Sequence, residues 1–108
     1  MDVDRLRSWL MSNVPSLNVA TDTEIDASQM GGGYSNLTFD VTLGSGADAR
    51  HIILRRPPVG VRAERGAHDM RREFRVLDVV HASAVAVPEP IALCEDESVI
   101  GGQFFLMA

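Results

Sequence analysis

The fold is decided by residues 36–56, NLTFDVTLGSGADARHIILRR, in which two strand-like segments flank a glycine-containing turn. Apolar and polar residues alternate between Asn36 and Leu43, which is typical of a half-buried strand. Gly44-Ser45-Gly46-Ala47 predicts a hairpin connection, and residues 50–56 predict a second strand that two prolines end. The sequence therefore predicts an antiparallel strand pair in the middle of the chain.

Further elements extend this pair in both directions. Residues 23–28 predict a preceding strand, and residues 2–14 predict an amphipathic helix that ends before Pro15, because the residue before a proline avoids helical geometry. A second helix is predicted from about Ala67 to Ala82, and two more strands within residues 87–108. Joins of hairpin length favour an α+β fold, an antiparallel five-stranded sheet with one main packed helix and an N-terminal helix, over a parallel βαβ fold.

Length and composition limit the class of protein. At 108 residues, 45% of them hydrophobic and with mean hydropathy +0.02, the chain is predicted to be a single domain with one modest core. Within it, residues 1–15 would form the N-terminal helix and residues 22–108 the sheet with its packed helix. The net charge of −5 argues against a nucleic-acid partner. Eight of the ten basic residues nevertheless lie between Arg50 and Arg75, which suits a small phosphorylated ligand.

Cysteine and histidine usage and the termini bear on location and metal binding. Cys94 is the only cysteine, so no intrachain disulfide can form and a reducing compartment is favoured. The N-terminus does not resemble a signal peptide, and no apolar run reaches the roughly 18 residues of a membrane span. We therefore expect a cytoplasmic protein with no membrane partner. The histidines show no ligand spacing with Cys94 and residues 95–97 predict an exposed acidic turn, so no metal site is predicted.

A glycine-rich turn separates the first two predicted strands. It reads Gly31-Gly32-Gly33-Tyr34-Ser35-Asn36. Glycines permit positive φ and let backbone N–H groups approach a polyphosphate, and the two polar side chains that follow could add hydrogen bonds. The turn matches neither the Rossmann nor the Walker A pattern. On this pattern alone, a flexible hairpin loop remains the alternative interpretation.

A glutamate on the second helix needs a partner. Glu73 lies beside the apolar stripe of that helix, where a carboxylate is costly unless it is paired. Arg55 and Arg56 lie on opposite faces of the strand 50–56, so one of them must point inward. An inward Arg55 meeting Glu73 would satisfy both groups and leave guanidinium donors for phosphate oxygens. The alternative is a solvated Glu73 and two exposed arginines at the end of the strand.

The order of these motifs resembles the aminoglycoside phosphotransferase family, and most of all the branch related to kinase-like domains fused to acyl-CoA dehydrogenases. The resemblance covers roughly residues 25–108. It rests on the following segments: Gly31–Phe39 (GGGYSNLTF), Ile52–Pro58 (IILRRPP), Ala67–Leu77 (AHDMRREFRVL), Val87–Pro90 (VPEP), Leu93–Gly101 (LCEDESVIG) and Phe104–Met107 (FFLM).

The resemblance implies the N-terminal lobe of the protein-kinase-like fold, with ATP as cofactor and a small-molecule hydroxyl acceptor as a further partner. Arg55 would take the place of the phosphate-binding lysine of the third strand, with Glu73 as its helix partner. Ile53 would line the adenine pocket, and Phe105 and Met107 would approach the hinge between the lobes. The implied nucleotide-binding residues are Gly31, Gly32, Gly33, Tyr34, Ser35, Asn36, Ile53, Arg55, Glu73, Phe105 and Met107.

The family's catalytic motifs have no match in these 108 residues. The His-Gly-Asp catalytic loop with its later Asn, and the Asp motif that binds Mg²⁺, belong to the C-terminal lobe of the family. We therefore expect no catalytic residue in this fragment, no phosphotransferase activity from it alone, and self-association of the isolated lobe through the apolar surface that its partner lobe would cover. The alternative function is a non-catalytic kinase-like binding or assembly module.

Overall fold

The two described α-helices and five described strands follow one another in the predicted order: one helix, three strands, a second helix and two strands. The structure is a computed structural model that describes residues 1–31, 37–58, 70–83 and 86–108. The glycine-turn residues Gly32, Gly33, Tyr34, Ser35 and Asn36 lie outside the described residues, as does the expected first helical turn, residues 67–69. Within the described residues the second helix is therefore given from Met70.

The N-terminal helix, α1, spans Val3–Asn13. Asp2 caps it, and its side chain accepts a hydrogen bond of 3.1 Å from a backbone N–H of the first turn. Leu6 and Leu10 lie one helical turn apart on the same side, and both are completely buried. The helix is therefore held to the sheet by an apolar stripe, as its amphipathic pattern predicts.

The five described strands form one antiparallel sheet in the order β1-β2-β3-β5-β4. The central β2–β3 hairpin pairs Leu43 with Arg50 and Leu37 with Arg56. Gly44 and Gly46 have φ of 86° and 70° in its turn, a conformation that favours glycine. The strands are β1 Ile25–Gln29, β2 Leu37–Leu43, β3 Arg50–Arg56, β4 Pro90–Cys94 and β5 Phe104–Met107. The second helix, α2, spans Met70–Ala82 between β3 and β4.

Strand alternation and register give the sheet two distinct faces. We call one the α1 face; its residues are Val41, Leu43, Ile52, Leu54, Phe104 and Leu106. We call the other the α2 face; its residues are Thr38, Ile53, Arg55, Phe105 and Met107. Because successive side chains of a strand point to opposite faces, each strand contributes to both.

The contiguous hydrophobic core lies on the α1 face. Leu6 and Leu10 of α1 join Leu54 and Leu106 in one buried cluster. Trp9 packs edge-on against Phe104, with ring centroids 5.2 Å apart, a favourable aromatic geometry. Among the described residues of α2, by contrast, Met70 alone is fully buried. The predicted α+β fold is confirmed, and the structure adds that the contiguous core lies on the side of the sheet where the N-terminal helix packs.

Arg56 is buried on the α1 face. Only 7% of the residue is exposed, and its guanidinium donates to the carbonyl oxygens of Pro57 (3.1 Å) and Ile100 (2.9 Å). Burial lowers the pKa of the Arg56 guanidinium. The expectation that a single inward arginine ends this strand is therefore corrected. Both arginines are bonded within the fold, on opposite faces of the sheet, because backbone carbonyls of two loops accept hydrogen bonds from Arg56.

Candidate functional site

The centre of the candidate site is an ion pair between β3 and α2. Nη2 of Arg55 lies 2.7 Å from Oε1 of Glu73, and both side chains are about two-thirds or more buried, with 26% and 32% exposed. Short charge-assisted contacts of this kind are stronger than neutral hydrogen bonds. The predicted contact between the inward arginine and the helix glutamate is present. The alternative of a solvated Glu73 with two exposed arginines is not observed.

A second contact holds Arg55 from the side of β2. Its Nη1 donates a hydrogen bond of 3.0 Å to Oγ1 of Thr38, which is the residue directly opposite in the strand register. The guanidinium carries more N–H groups than these two partners use. Its Nε–H is buried and has no acceptor within the described part of the chain. A buried donor without an acceptor is costly, and an incoming anion would reach the exposed 26% of the side chain rather than this enclosed atom.

A cavity opens beside this ion pair. It has a volume of about 470 Å³, within the range of small-molecule sites. Its wall is mostly apolar apart from the charged pair. The described residues that line it are Arg55, Glu73, Val76, Leu77, Val80, Val87, Pro88, Phe105 and Met107. Four of the predicted nucleotide-binding residues, Arg55, Glu73, Phe105 and Met107, are thus brought together in one place.

Packing of α2 on the sheet determines where Glu73 lies. Phe74, the next residue, packs edge-on against Phe105 of β5 with ring centroids 5.8 Å apart. On the other side, Arg71 forms an ion pair with Glu95 at the end of β4. These two contacts flank Glu73 along the helix and keep it directed towards β3.

The remaining predicted nucleotide-binding residues divide into two groups. Ile53 lies on the α2 face, two residues before Arg55 and paired with Met107, although it does not itself line the cavity. Gly31 has a φ of 65°, and a side chain there would meet no atom of the described residues within 4 Å, so backbone conformation is the reason given by the described structure for a glycine here. The other five residues of the turn lie outside the described residues.

The sequence interpretation missed Thr38 as a site residue. Alternation placed it on the face opposite Leu37, but only the register shows that it faces Arg55. The signal was available in part, because a hairpin with a fixed turn determines the register of its strands. Val87 and Pro88 were assigned to a strand, whereas they precede β4 and line the cavity.

The strand β4 and the turn that follows it carry titratable groups outside the cavity. Cys94 is buried on β4, and burial raises the pKa of its thiol, with the carboxylates of Asp96 and Glu95 adding to that effect against a lowering backbone hydrogen bond. Asp96 accepts hydrogen bonds from the backbone and the hydroxyl of Ser98, which lower the pKa of that carboxyl. Among the described residues no group of three or more potential metal ligands occurs. Neither described helix is long and apolar enough to cross a membrane.

Comparison with known proteins places this geometry in a family. Residues 26–108 match the model of the phosphotransferase enzyme family. A crystal structure from Ralstonia eutropha, assigned to the aminoglycoside phosphotransferases, is similar with a TM-score of 0.71 and 29% identity, over 98% of this chain and 27% of that one.

Curated relatives are named as acyl-CoA dehydrogenases. A protein of Arabidopsis thaliana assigned as an acyl-CoA dehydrogenase is 36% identical over 98% of this chain, and acyl-CoA dehydrogenase family member 11 of Homo sapiens is 30% identical over 98%. The chain spans 13% of the length of each. The resemblance that the motifs indicated is thereby confirmed, and the chain belongs to the phosphotransferase enzyme family.

Proposed function

We propose that these 108 residues form the ATP-binding lobe of a phosphotransferase that transfers the γ-phosphate of ATP to the hydroxyl group of a small molecule. The observation that carries the proposal is Arg55, held by Glu73 and Thr38 at the wall of a cavity of about 470 Å³. ATP, when bound, would supply the phosphoryl group. Phosphoryl transfer is catalysed mainly by positioning the reactants and by neutralising negative charge on the phosphates. The guanidinium of Arg55 would contribute to both.

The residues present fit a nucleotide. Arg55 would bind the phosphates, since a guanidinium offers several donors in a fixed plane and can keep Glu73 while it binds an anion. The backbone of residues 31–36 would contact the phosphates from the glycine turn. Phe105 and Met107, which line the cavity, would provide apolar contacts for the base, with Ile53 next to Met107 on the same face of the sheet. The cavity is mostly apolar apart from the Arg55–Glu73 pair, which suits a ligand with a flat apolar end and a charged end.

The remaining parts of the reaction would come from the C-terminal lobe of a longer protein. In this proposal that lobe binds Mg²⁺ and the acceptor alcohol and supplies the catalytic base. The 108 residues would bind nucleotide without turning it over, in the cytoplasm. The relatives' names do not transfer their substrates to this chain, so the acceptor is to be found by screening small alcohols with the longer protein.

Nucleotide binding can be tested with a matched pair of arginine variants. We expect Arg55→Ala to lower the affinity for ATP at least about tenfold, because a charge-assisted hydrogen bond contributes about 1.5–3 kcal/mol. Arg50→Ala removes an arginine from the opposite end of the same strand, where its side chain is exposed and bonded to the carbonyl of Ser16. That variant should bind ATP as the unaltered chain does. Binding can be measured by NMR titration of the ¹⁵N-labelled chain.

Two results would contradict the proposal. One is an unaltered chain that shows no ATP-dependent shifts around the α2 face at millimolar nucleotide. The other is an equal loss of affinity in both arginine variants, which would mean that ATP responds to overall charge rather than to the Arg55–Glu73 site.

A further inference from the structure

Thr38 lies beside the ion pair of the candidate site. Its side chain accepts the hydrogen bond from Nη1 of Arg55 at 3.0 Å. Its backbone carbonyl accepts a second hydrogen bond, from the N–H of Met30 at 2.7 Å, which continues the pairing of β1 with β2. The backbone of Thr38 is therefore anchored in the sheet while its hydroxyl holds the arginine.

The hydroxyl restrains the guanidinium from a second side. Glu73 contacts Nη2, at one end of the guanidinium, with a distance of 2.7 Å to its Oε1. Thr38 contacts the other terminal nitrogen from the opposite strand. With both ends held, the plane of the guanidinium is fixed, and the side-chain entropy that a ligand would otherwise have to remove is already lost.

The strand register explains why Thr38 can hold the arginine. It places Thr38 directly opposite Arg55 on the neighbouring strand, so the hydroxyl projects from a backbone that is itself fixed in the sheet. A polyphosphate gains most from a donor that is already in place, because misplaced donors contribute little to binding.

We propose that Thr38 is the positioning residue of the phosphate site, where it fixes the orientation of the guanidinium of Arg55. This inference rests on the proposed function, since it concerns how the chain binds the phosphates of a nucleotide. It assigns to Thr38 no contact with the nucleotide itself. Its effect is on the phosphates alone, because the apolar contacts to the base come from other residues.

The experiment uses isosteric variants and two partial ligands. Thr38→Val removes the hydroxyl and keeps the branched shape that suits a strand. Thr38→Ser keeps the hydroxyl. Thr42→Val is the matched control, because Thr42 lies on the same strand and face but its hydroxyl contacts Nδ1 of His51 at 3.2 Å. Affinities for ATP, inorganic tripolyphosphate and adenosine are measured by NMR titration of each chain.

We expect Thr38→Val to weaken the binding of ATP and of tripolyphosphate by about three- to tenfold, the range of one neutral hydrogen bond, because the hydroxyl acts on the phosphates only through Arg55. Adenosine affinity should stay unchanged, Thr38→Ser should restore most of the lost affinity, and Thr42→Val should match the unaltered chain. A role in folding alone would weaken adenosine and tripolyphosphate equally, and that result would overturn the inference.

The inference and the proposed function fail in different ways. If Arg55→Ala abolishes tripolyphosphate binding while Thr38→Val leaves it intact, the positioning role is wrong and the nucleotide site remains. If the unaltered chain binds neither ATP nor tripolyphosphate, the proposed function is wrong and the positioning role falls with it.

Discussion

The two faces of the sheet bury their residues to different degrees and with different chemistry. On the α1 face, Leu54 and Leu106 are completely buried against the leucines of α1. On the α2 face, Arg55 stays partly exposed beside a cavity and is paired with a carboxylate. Strand β3 contributes to both faces, so neighbouring residues of one strand have different environments.

The contiguous core therefore lies on the α1 face, whereas the α2 face has a cavity and a charged pair. A substitution that changes side-chain volume in a close-packed apolar layer lowers the stability of the fold. A cavity with a charged pair, by contrast, leaves room for a ligand. The two arginines at the end of β3 show the same division. Arg56 bonds to backbone carbonyls within the fold, and Arg55 retains donors that the described residues do not use.

The strongest test of the comparison replaces neighbouring residues of β3. Leu54→Ala should lower the free energy of unfolding by about 2–5 kcal/mol, because it removes a fully buried side chain from the core and leaves a cavity. Ile53→Ala should cost less, since Ile53 is only partly buried on the α2 face. Urea denaturation followed by circular dichroism measures both. Equal losses would mean that the two faces contribute equally to stability.

A second test concerns how Arg56 is held. Arg56→Ala should destabilise the fold by about 1–3 kcal/mol, because buried carbonyls of Pro57 and Ile100 lose their donor. Gly102→Ala should cost about 1–3 kcal/mol as well, since its Cβ would lie 3.0 Å from Nη2 of Arg56, which those carbonyls hold in place. Urea denaturation measures both variants, and ATP titration should show unchanged affinity.

The double variant provides the control for this pair. Once Arg56 is an alanine, the added methyl group at Gly102 has no guanidinium to displace. The cost of Gly102→Ala should therefore nearly vanish in that background. Additive losses would show that Gly102 is needed for another reason.

The smallest expected effect is a pH dependence that originates on the α1 face. Burial raises the pKa of the Cys94 thiol. At pH values between the ordinary pKa of the thiol and its raised pKa, the folded chain therefore binds more protons than the unfolded chain. The stability that follows is complete below the unfolded pKa and is lost as the pH rises through the folded pKa. The urea midpoint of the unaltered chain should therefore fall more between about pH 7 and about pH 10 than that of Cys94→Ala. Parallel curves would contradict this.

Much of the architecture could be predicted because the periodic patterns are local. Alternation located β3 at residues 50–56, and the helical spacing of Glu73 beside an apolar stripe predicted its partner on that strand. The resemblance of the ordered motifs to a family then gave the site residues a role. These inferences need only a short segment of sequence or the order of segments along the chain.

The features that were not predicted depend on contacts between distant segments. The burial of Arg56 requires a carbonyl acceptor 44 residues away, in the loop before β5. The role of Thr38 depends on strand register rather than on periodicity. The extent to which α1 covers the core could not be read from its pattern, because an amphipathic helix indicates that one side is buried and not how much.

Trp9, in contact with Phe104, is an intrinsic fluorescent probe of the α1 face. Trp9 is the only tryptophan of the chain, and it packs against the α1 face, on the side of the sheet away from Arg55. Its intrinsic fluorescence therefore reports whether α1 remains docked, while a ligand beside the Arg55–Glu73 pair would have no direct contact with the indole. Emission that changed on nucleotide addition would reveal that the sheet transmits a displacement from one face to the other.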